Sequence, residues 1–165
     1  MSQFPSGPFV QVHSSRHGVA PALCARVLRS LARRRQRLAW CAGSAPCSAA
    51  VVSSAAFAAL VAPLASCAPA TASAQLSALP ACLGMVCLFG FAPSAGCLSA
   101  CRTAVGLGLP VLAFASFPLP PLFAPGSALA GSWVPFPAPP SAGLWACAFQ
   151  WAPAAAPVPA PAFLS

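Results

Sequence analysis

Arginine is the residue type whose density in this chain points most directly to chemistry. Six arginines fall within residues 26–37 of the 165-residue sequence: Arg26, Arg29, Arg33, Arg34, Arg35 and Arg37. A guanidinium group presents five N–H donors in a planar fork that matches phosphate oxygens, and it stays charged at physiological pH. The stretch therefore predicts contact with an anionic surface, either a lipid membrane or nucleic acid.

Most catalytic chemistry is disfavoured by the absence of side-chain carboxylates. The sequence has no Asp or Glu, against eight Lys+Arg (all of them Arg) and two His. Acid–base pairs and triads that depend on a carboxylate are thereby excluded, as are calcium and magnesium sites built on acidic ligands. His13 or His17 could serve a Ser or Cys nucleophile, but nothing in the sequence places them together. We expect no enzyme, no cofactor and no small-molecule substrate.

The cysteines and histidines give no metal-binding pattern. The nine cysteines include no CxxC pair, and the four-residue spacing of His13 and His17 has no accompanying ligand pair. We expect no metal site and interpret the cysteines as small buried hydrophobes. A disulfide framework with one thiol left over is the alternative if the chain is exported.

An amphipathic helix over residues 23–40 would position the arginines. At 100° per residue, one face collects Leu23, Val27, Leu31 and Leu38, and the opposite face holds most of the arginines. Three interpretations stay open: a helix lying on an anionic membrane, a nucleic-acid-binding or nuclear-import segment, and part of a mitochondrial transit peptide. The RRRQR run at 33–37 resembles the arginine-rich motifs of RNA-binding peptides, over too few residues to name a family.

The rest of the chain is apolar and rich in proline, with 59% hydrophobic residues, 5% charged residues and 21 prolines. Three uncharged or nearly uncharged stretches are candidate membrane segments, at 49–65, 82–98 and 103–124. Weak helices are expected near 49–62, 82–92 and 104–116. In addition, Leu64–Cys67 resembles the lipobox of bacterial lipoproteins.

These patterns divide the chain into four regions. Residues 1–22 are expected to be a disordered N-terminus, 23–40 the Arg-rich amphipathic helix, 41–124 an Ala/Leu/Cys-rich hydrophobic region, and 125–165 a Pro/Ala/Trp-rich low-complexity tail. The predicted fold is mostly irregular, with a few short α-helices, weak hydrophobic helices able to enter a membrane, and no compact globular core. If the chain is stably expressed, that prediction places it at a membrane; otherwise its location is unknown.

Base composition offers one explanation for the missing residue types. Asp, Glu, Lys, Asn and Tyr have adenine at the middle codon position and Ile codons begin with adenine, and the sequence contains none of these residues. We therefore expect no assignable biochemical function and an incidental product of an adenine-poor, GC-rich reading frame. The alternatives are a small integral membrane protein with a cytoplasmic Arg-rich N-terminus and an Arg-rich nucleic-acid-binding peptide.

Overall fold

A computed structural model describes residues 7–15, 18–41, 65–67 and 76–165. Its strands are β1 (Phe9–Ser14), β2 (Leu38–Cys41), β3 (Ala65–Cys67), β4 (Cys82–Leu88), β5 (Val111–Phe114), β6 (Gly131–Pro135) and β7 (Phe149–Pro153). The α-helices are α1 (Pro21–Arg33) and α2 (Ala95–Gly106). Short 3₁₀ segments cover Leu79–Ala81, Pro140–Cys147 and Ala162–Leu164.

The seven strands form one mixed sheet in the order β3-β2-β1-β4-β5-β7-β6. The five strands from β3 to β5 pair in parallel, and β7 pairs antiparallel with both β5 and β6. The chain proceeds outward from β1 through α1 to β2, and then outward in the opposite direction from β4 through α2 to β5. This reversal places a topological switch point between β1 and β4.

Within the described residues, α1 covers one face of the sheet and α2 covers the other. Side chains alternate along β1 and β4, so that Val12 and Val86 join the core beneath α1 while Phe9 and Cys87 join the core beneath α2. All six residues of β1 are buried. Because both faces of β4 are covered, its residues are apolar without a period. In β1 the polar residues Gln11 and His13 alternate with Val10 and Val12, and all four are buried.

The prediction of a mostly irregular chain without a compact core is wrong. The described residues form a continuous sheet with two buried clusters, and the prolines do not prevent this. Three of them lie at strand ends, where a missing N–H costs little: Pro110 directly precedes β5, Pro135 ends the edge strand β6, and Pro153 ends β7. Disorder as a description of the chain is likewise contradicted, since β1 lies within the predicted disordered N-terminus and is central to the sheet.

The membrane expectation is also corrected. Among the described residues, none of the helices has both the length and the apolar character needed to cross a bilayer. Candidate segment 82–98 contains β4 and the start of α2, and candidate segment 103–124 contains the end of α2 and β5. The apolar runs in these two segments are therefore central strands of the sheet, which α1 and α2 cover on its two faces. Candidate segment 49–65 and the weak helix at 49–62 fall outside the described residues, except for Ala65 at the start of β3.

The Pro/Ala/Trp-rich region from 125 onward folds onto the sheet. Strands β6 and β7 pair Trp133 with Trp151, whose rings meet edge to face with centroids 5.5 Å apart. Carbonyl groups of prolines accept side-chain hydrogen bonds, from Trp133 Nε1 to Pro120 (3.0 Å) and from Gln150 Nε2 to Pro159 (2.6 Å). Proline has no backbone N–H to donate, but its carbonyl oxygen accepts hydrogen bonds, and these bonds hold the proline-rich coil against the sheet.

Candidate functional site

Helix α1 carries the arginines on the face turned away from the sheet. Its buried residues are Cys24, Val27, Leu28, Leu31 and Ala32. Arg26, Arg29 and Arg33 are exposed on the opposite side, spaced three and four residues apart along one stripe. A helix forms where the periodicity predicts one, but it runs over Pro21–Arg33 and not over 23–40. Leu38 belongs to β2.

The helix ends in a Schellman motif built without glycine. The Arg35 N–H donates to the Ala32 carbonyl (2.9 Å) and the Gln36 N–H donates to the Leu31 carbonyl (3.2 Å). Arg35 occupies the left-handed position of this motif, with φ at 56°. The turn redirects the chain into β2 and separates Arg37 from the arginines on the helix: the Arg37 side chain lies beside Gly7, near the start of β1.

A hydrogen-bonded group holds Arg34 against the helix. Its Nη1 donates to the Ser30 carbonyl (3.1 Å) and to Ser30 Oγ (2.7 Å), and its Nε donates to the Leu164 carbonyl (3.3 Å). Ser30 Oγ also accepts a hydrogen bond from Nε1 of the buried Trp145 (2.9 Å). Two contacts to its own helix and one to the C-terminal segment therefore hold the Arg34 side chain in place. When a ligand binds Arg34, this side chain loses little additional conformational entropy.

These elements surround a cavity of about 280 Å³ on the outer side of α1. Its lining residues are Arg26, Arg29, Ser30, Arg33, Arg34 and Leu144. Since the sequence contains no Asp or Glu, no side-chain carboxylate can neutralise the four guanidinium groups. Four cations around one cavity attract anions, and the fork geometry of arginine favours phosphate or carboxylate oxygens.

The six arginines singled out in the sequence thus separate into two groups. Arg26, Arg29, Arg33 and Arg34 come together around the cavity, whereas Arg35 and Arg37 lie past the helix and are not among its lining residues. Sequence reasoning missed Ser30, Leu144 and Trp145. Ser30 sits four residues before Arg34, a detectable helical spacing, but Leu144 and Trp145 are more than a hundred residues away and leave no local signal.

Among the residues that the structure describes, the other sequence candidates do not assemble into a metal or acid–base site. His13 is buried in β1, its Nε2 has no partner among the described residues, and burial lowers its pKa to about 4. His17 lies outside the described residues. Within the described parts of the chain, no three His, Cys, Asp or Glu residues are placed to hold a metal ion.

Five of the described cysteines are buried, as their interpretation as small hydrophobes predicts: Cys24, Cys82, Cys87, Cys97 and Cys101. Three of them, Cys87, Cys97 and Cys101, are brought into contact between β4 and α2. The spacing of Cys97 and Cys101 places both on one face of a helix. Their approach to Cys87 could not be deduced without recognising β4.

Comparison of the chain with protein-family models, with curated protein sequences and with solved structures finds no match.

Proposed function

We propose that the protein binds the phosphate backbone of nucleic acid through the arginine-lined face of α1. The observation that supports this proposal is the cavity around which Arg26, Arg29, Arg33 and Arg34 converge with no acidic side chain in the sequence to offset them. Protein–nucleic acid affinity of this kind rests on neutralising phosphates and releasing counterions.

The length of the arginine stripe favours a polyanion over a single phosphate. Arg26 and Arg33 lie seven residues apart on α1, which corresponds to a rise of about 10 Å along the helix axis. A row of arginines about 10 Å long can contact successive phosphates of one nucleic-acid strand. Because these contacts go to the backbone, we expect binding with little dependence on base sequence.

The apolar side of α1 weakens the alternative in which this helix lies on a lipid surface. Such a helix inserts its apolar face at the membrane interface. In this protein Val27, Leu28 and Leu31 on that face are fully buried against the sheet. Only the arginine face is left to meet a partner.

The test is the salt dependence of nucleic-acid binding by the full-length protein. Fluorescence anisotropy with a labelled 20-base-pair DNA duplex should show affinity that falls linearly on a log–log plot against salt concentration. Each phosphate contact contributes about 0.9 to the slope. Replacing Arg26, Arg29 and Arg33 together by Gln should therefore reduce the slope by about 2.7.

A matched control removes one arginine elsewhere. Arg102 lies on α2, and its Nε donates to the Leu122 carbonyl (2.6 Å). Arg102→Gln should leave the slope nearly unchanged, while Arg29→Gln alone lowers it by about 0.9. Absence of binding at 50 mM salt, or equal losses in these two single variants, would refute the proposal.

A further inference from the structure

A cluster of three thiols lies on the face of the sheet opposite α1. Cys87 is in β4, and Cys97 and Cys101 occupy the first and second turns of α2. All three belong to the same buried cluster, in which Cys87 lies beside the other two. Cys87 and Cys101 are fully buried, whereas Cys97 retains 5% of its exposure, which makes Cys97 the most accessible member of the cluster.

The three thiols differ in their surroundings. Cys97 is the third residue of α2, and its backbone N–H donates to Oγ of the N-cap residue Ser94 (3.5 Å). The hydrogen bond from the Cys87 thiol, together with that from the Ser94 hydroxyl, lowers the pKa of Cys97, and burial raises the pKa of Cys87. A position at a helix N-terminus and a nearby hydrogen-bond donor both favour the reactive form of a cysteine.

The cluster lies near the turn that connects β4 to α2. The turn from β4 into α2 runs along the carboxyl edge of the parallel strands, next to the switch point between β1 and β4. Open α/β sheets leave a crevice at this edge. Hydrogen peroxide is small and uncharged, and Cys97 is the one cysteine of the cluster that keeps some exposure to solvent.

We propose that Cys97 and Cys87 form a redox centre in which peroxide oxidises Cys97 and Cys87 resolves it to a disulfide. This activity is independent of nucleic-acid binding. It would make the buried face of α2 an oxidation site, and the neighbouring Cys101 remains a thiol in the product.

The reaction balances with peroxide as the only oxidant. The Cys97 sulfur attacks one peroxide oxygen, the O–O bond breaks, and the leaving hydroxide takes the thiol proton to give water and a sulfenic acid. The Cys87 sulfur then attacks the Cys97 sulfur, the S–O bond breaks, and hydroxide leaves as water with the Cys87 proton. The two thiols supply the two electrons that reduce peroxide, and a dithiol reductant restores them by exchange.

The test is to treat the reduced full-length protein with hydrogen peroxide, block free thiols by alkylation and map cross-links by mass spectrometry. Chymotrypsin cleaves after Phe89 and Phe91, between Cys87 and Cys97, and after Leu98, between Cys97 and Cys101. The expected product is a disulfide that joins the Cys87 and Cys97 peptides, with loss of two hydrogens. Cys101→Ala should still form it.

Variants separate the roles of the two cysteines. Cys87→Ala should accumulate a sulfenic acid on Cys97 that reacts with dimedone, while Cys97→Ala should give neither the disulfide nor a dimedone adduct on Cys87. Cys147→Ala removes an exposed cysteine and should change neither result. A predominant disulfide to Cys101 in the unaltered protein would overturn the assignment. The assignment would also be overturned if Cys147 were oxidised while Cys97 stayed reduced. This outcome is measured on the unaltered protein, so it does not depend on whether a variant folds.

Discussion

At the scale of a single residue, the backbone conformation of Arg35 is the feature that affects stability. Arg35 is the one non-glycine residue with positive φ among the described residues, at the position of α1's C-terminal motif where glycine is preferred. The corresponding position after α2 is occupied by Gly108, whose N–H donates to the Val105 carbonyl (2.9 Å). The same left-handed position is therefore occupied after α1 by Arg35, whose Cβ disfavours it, and after α2 by Gly108, which has no Cβ.

We expect Arg35→Gly to stabilise the protein. Removing the Cβ relieves a left-handed conformation that costs an L-residue roughly 1 kcal/mol, and the gain is measured as a higher urea midpoint with an unchanged slope. Arg33→Gly removes the same charge from the last turn of α1 and should instead destabilise by about 1 kcal/mol. If both variants lose stability equally, the strain assigned to Arg35 is absent.

At the scale of elements, the C-terminal 3₁₀ segment packs on β4 through a residue that must be small. A Cβ added to Gly84 would lie 2.9 Å from the Pro110 carbonyl oxygen and would meet the ring of Phe163, which is fully buried. Gly84 therefore lets the segment Ala162–Leu164 lie close against the strand. Leu164 in turn supplies the carbonyl that holds Arg34, so that this contact connects the sheet core to the arginine cavity.

Gly84→Ala should destabilise the protein by about 1–3 kcal/mol, because overpacking forces the strand or the C-terminal segment to move. Gly96→Ala is the matched comparison, since a Cβ there meets no atom within 4 Å. In the first turn of α2 that change should be neutral or stabilise by up to about 1 kcal/mol. Thermal unfolding measures both, and equal effects would contradict the packing argument.

Helix α1 was predictable from the sequence and β4 was not, for physical reasons. The arginines and leucines of α1 alternate with a helical period because one side faces water and the other faces the sheet. The CLGMVCL run of β4 is covered on both sides, so its residues carry no period and resemble a membrane segment as closely as a central strand. Leu144, which lines the cavity, and Trp145, which donates to Ser30, depend on that unrecognised sheet, so they could not be assigned to the site in advance.

For the whole molecule, the missing carboxylates simplify the response to acid. In most proteins acid destabilises by protonating paired carboxylates, but this sequence contains no Asp or Glu. Histidine is then the side-chain type in this sequence whose ordinary pKa, about 6.5, lies closest to the acid range. Whether nucleotide composition decided which residues are absent stays a prediction, since the fold does not test it.

We expect stability to fall as pH drops from 6.5 to 4. Burial lowers the pKa of His13 from 6.5 to about 4, so the unfolded chain binds a proton in this window that the folded chain does not. The loss amounts to about 3 kcal/mol. Urea unfolding across this range should show the slope in the unaltered protein and in His17→Gln, and should lose most of it in His13→Gln. A slope unaffected by His13→Gln would refute the assignment.

Strand β6 forms one border of the sheet, and its composition bears on self-association. An exposed border strand presents unpaired backbone groups on which another chain can add a strand, and proteins commonly deter this with lysine or inward charges. A sequence with no lysine or carboxylate has few such means. Here β6 is only Gly131–Pro135, ends in a residue without an N–H, and is followed by more proline. The short length of β6 and its prolines thus take the place of charged residues in preventing other chains from adding strands at this edge of the sheet.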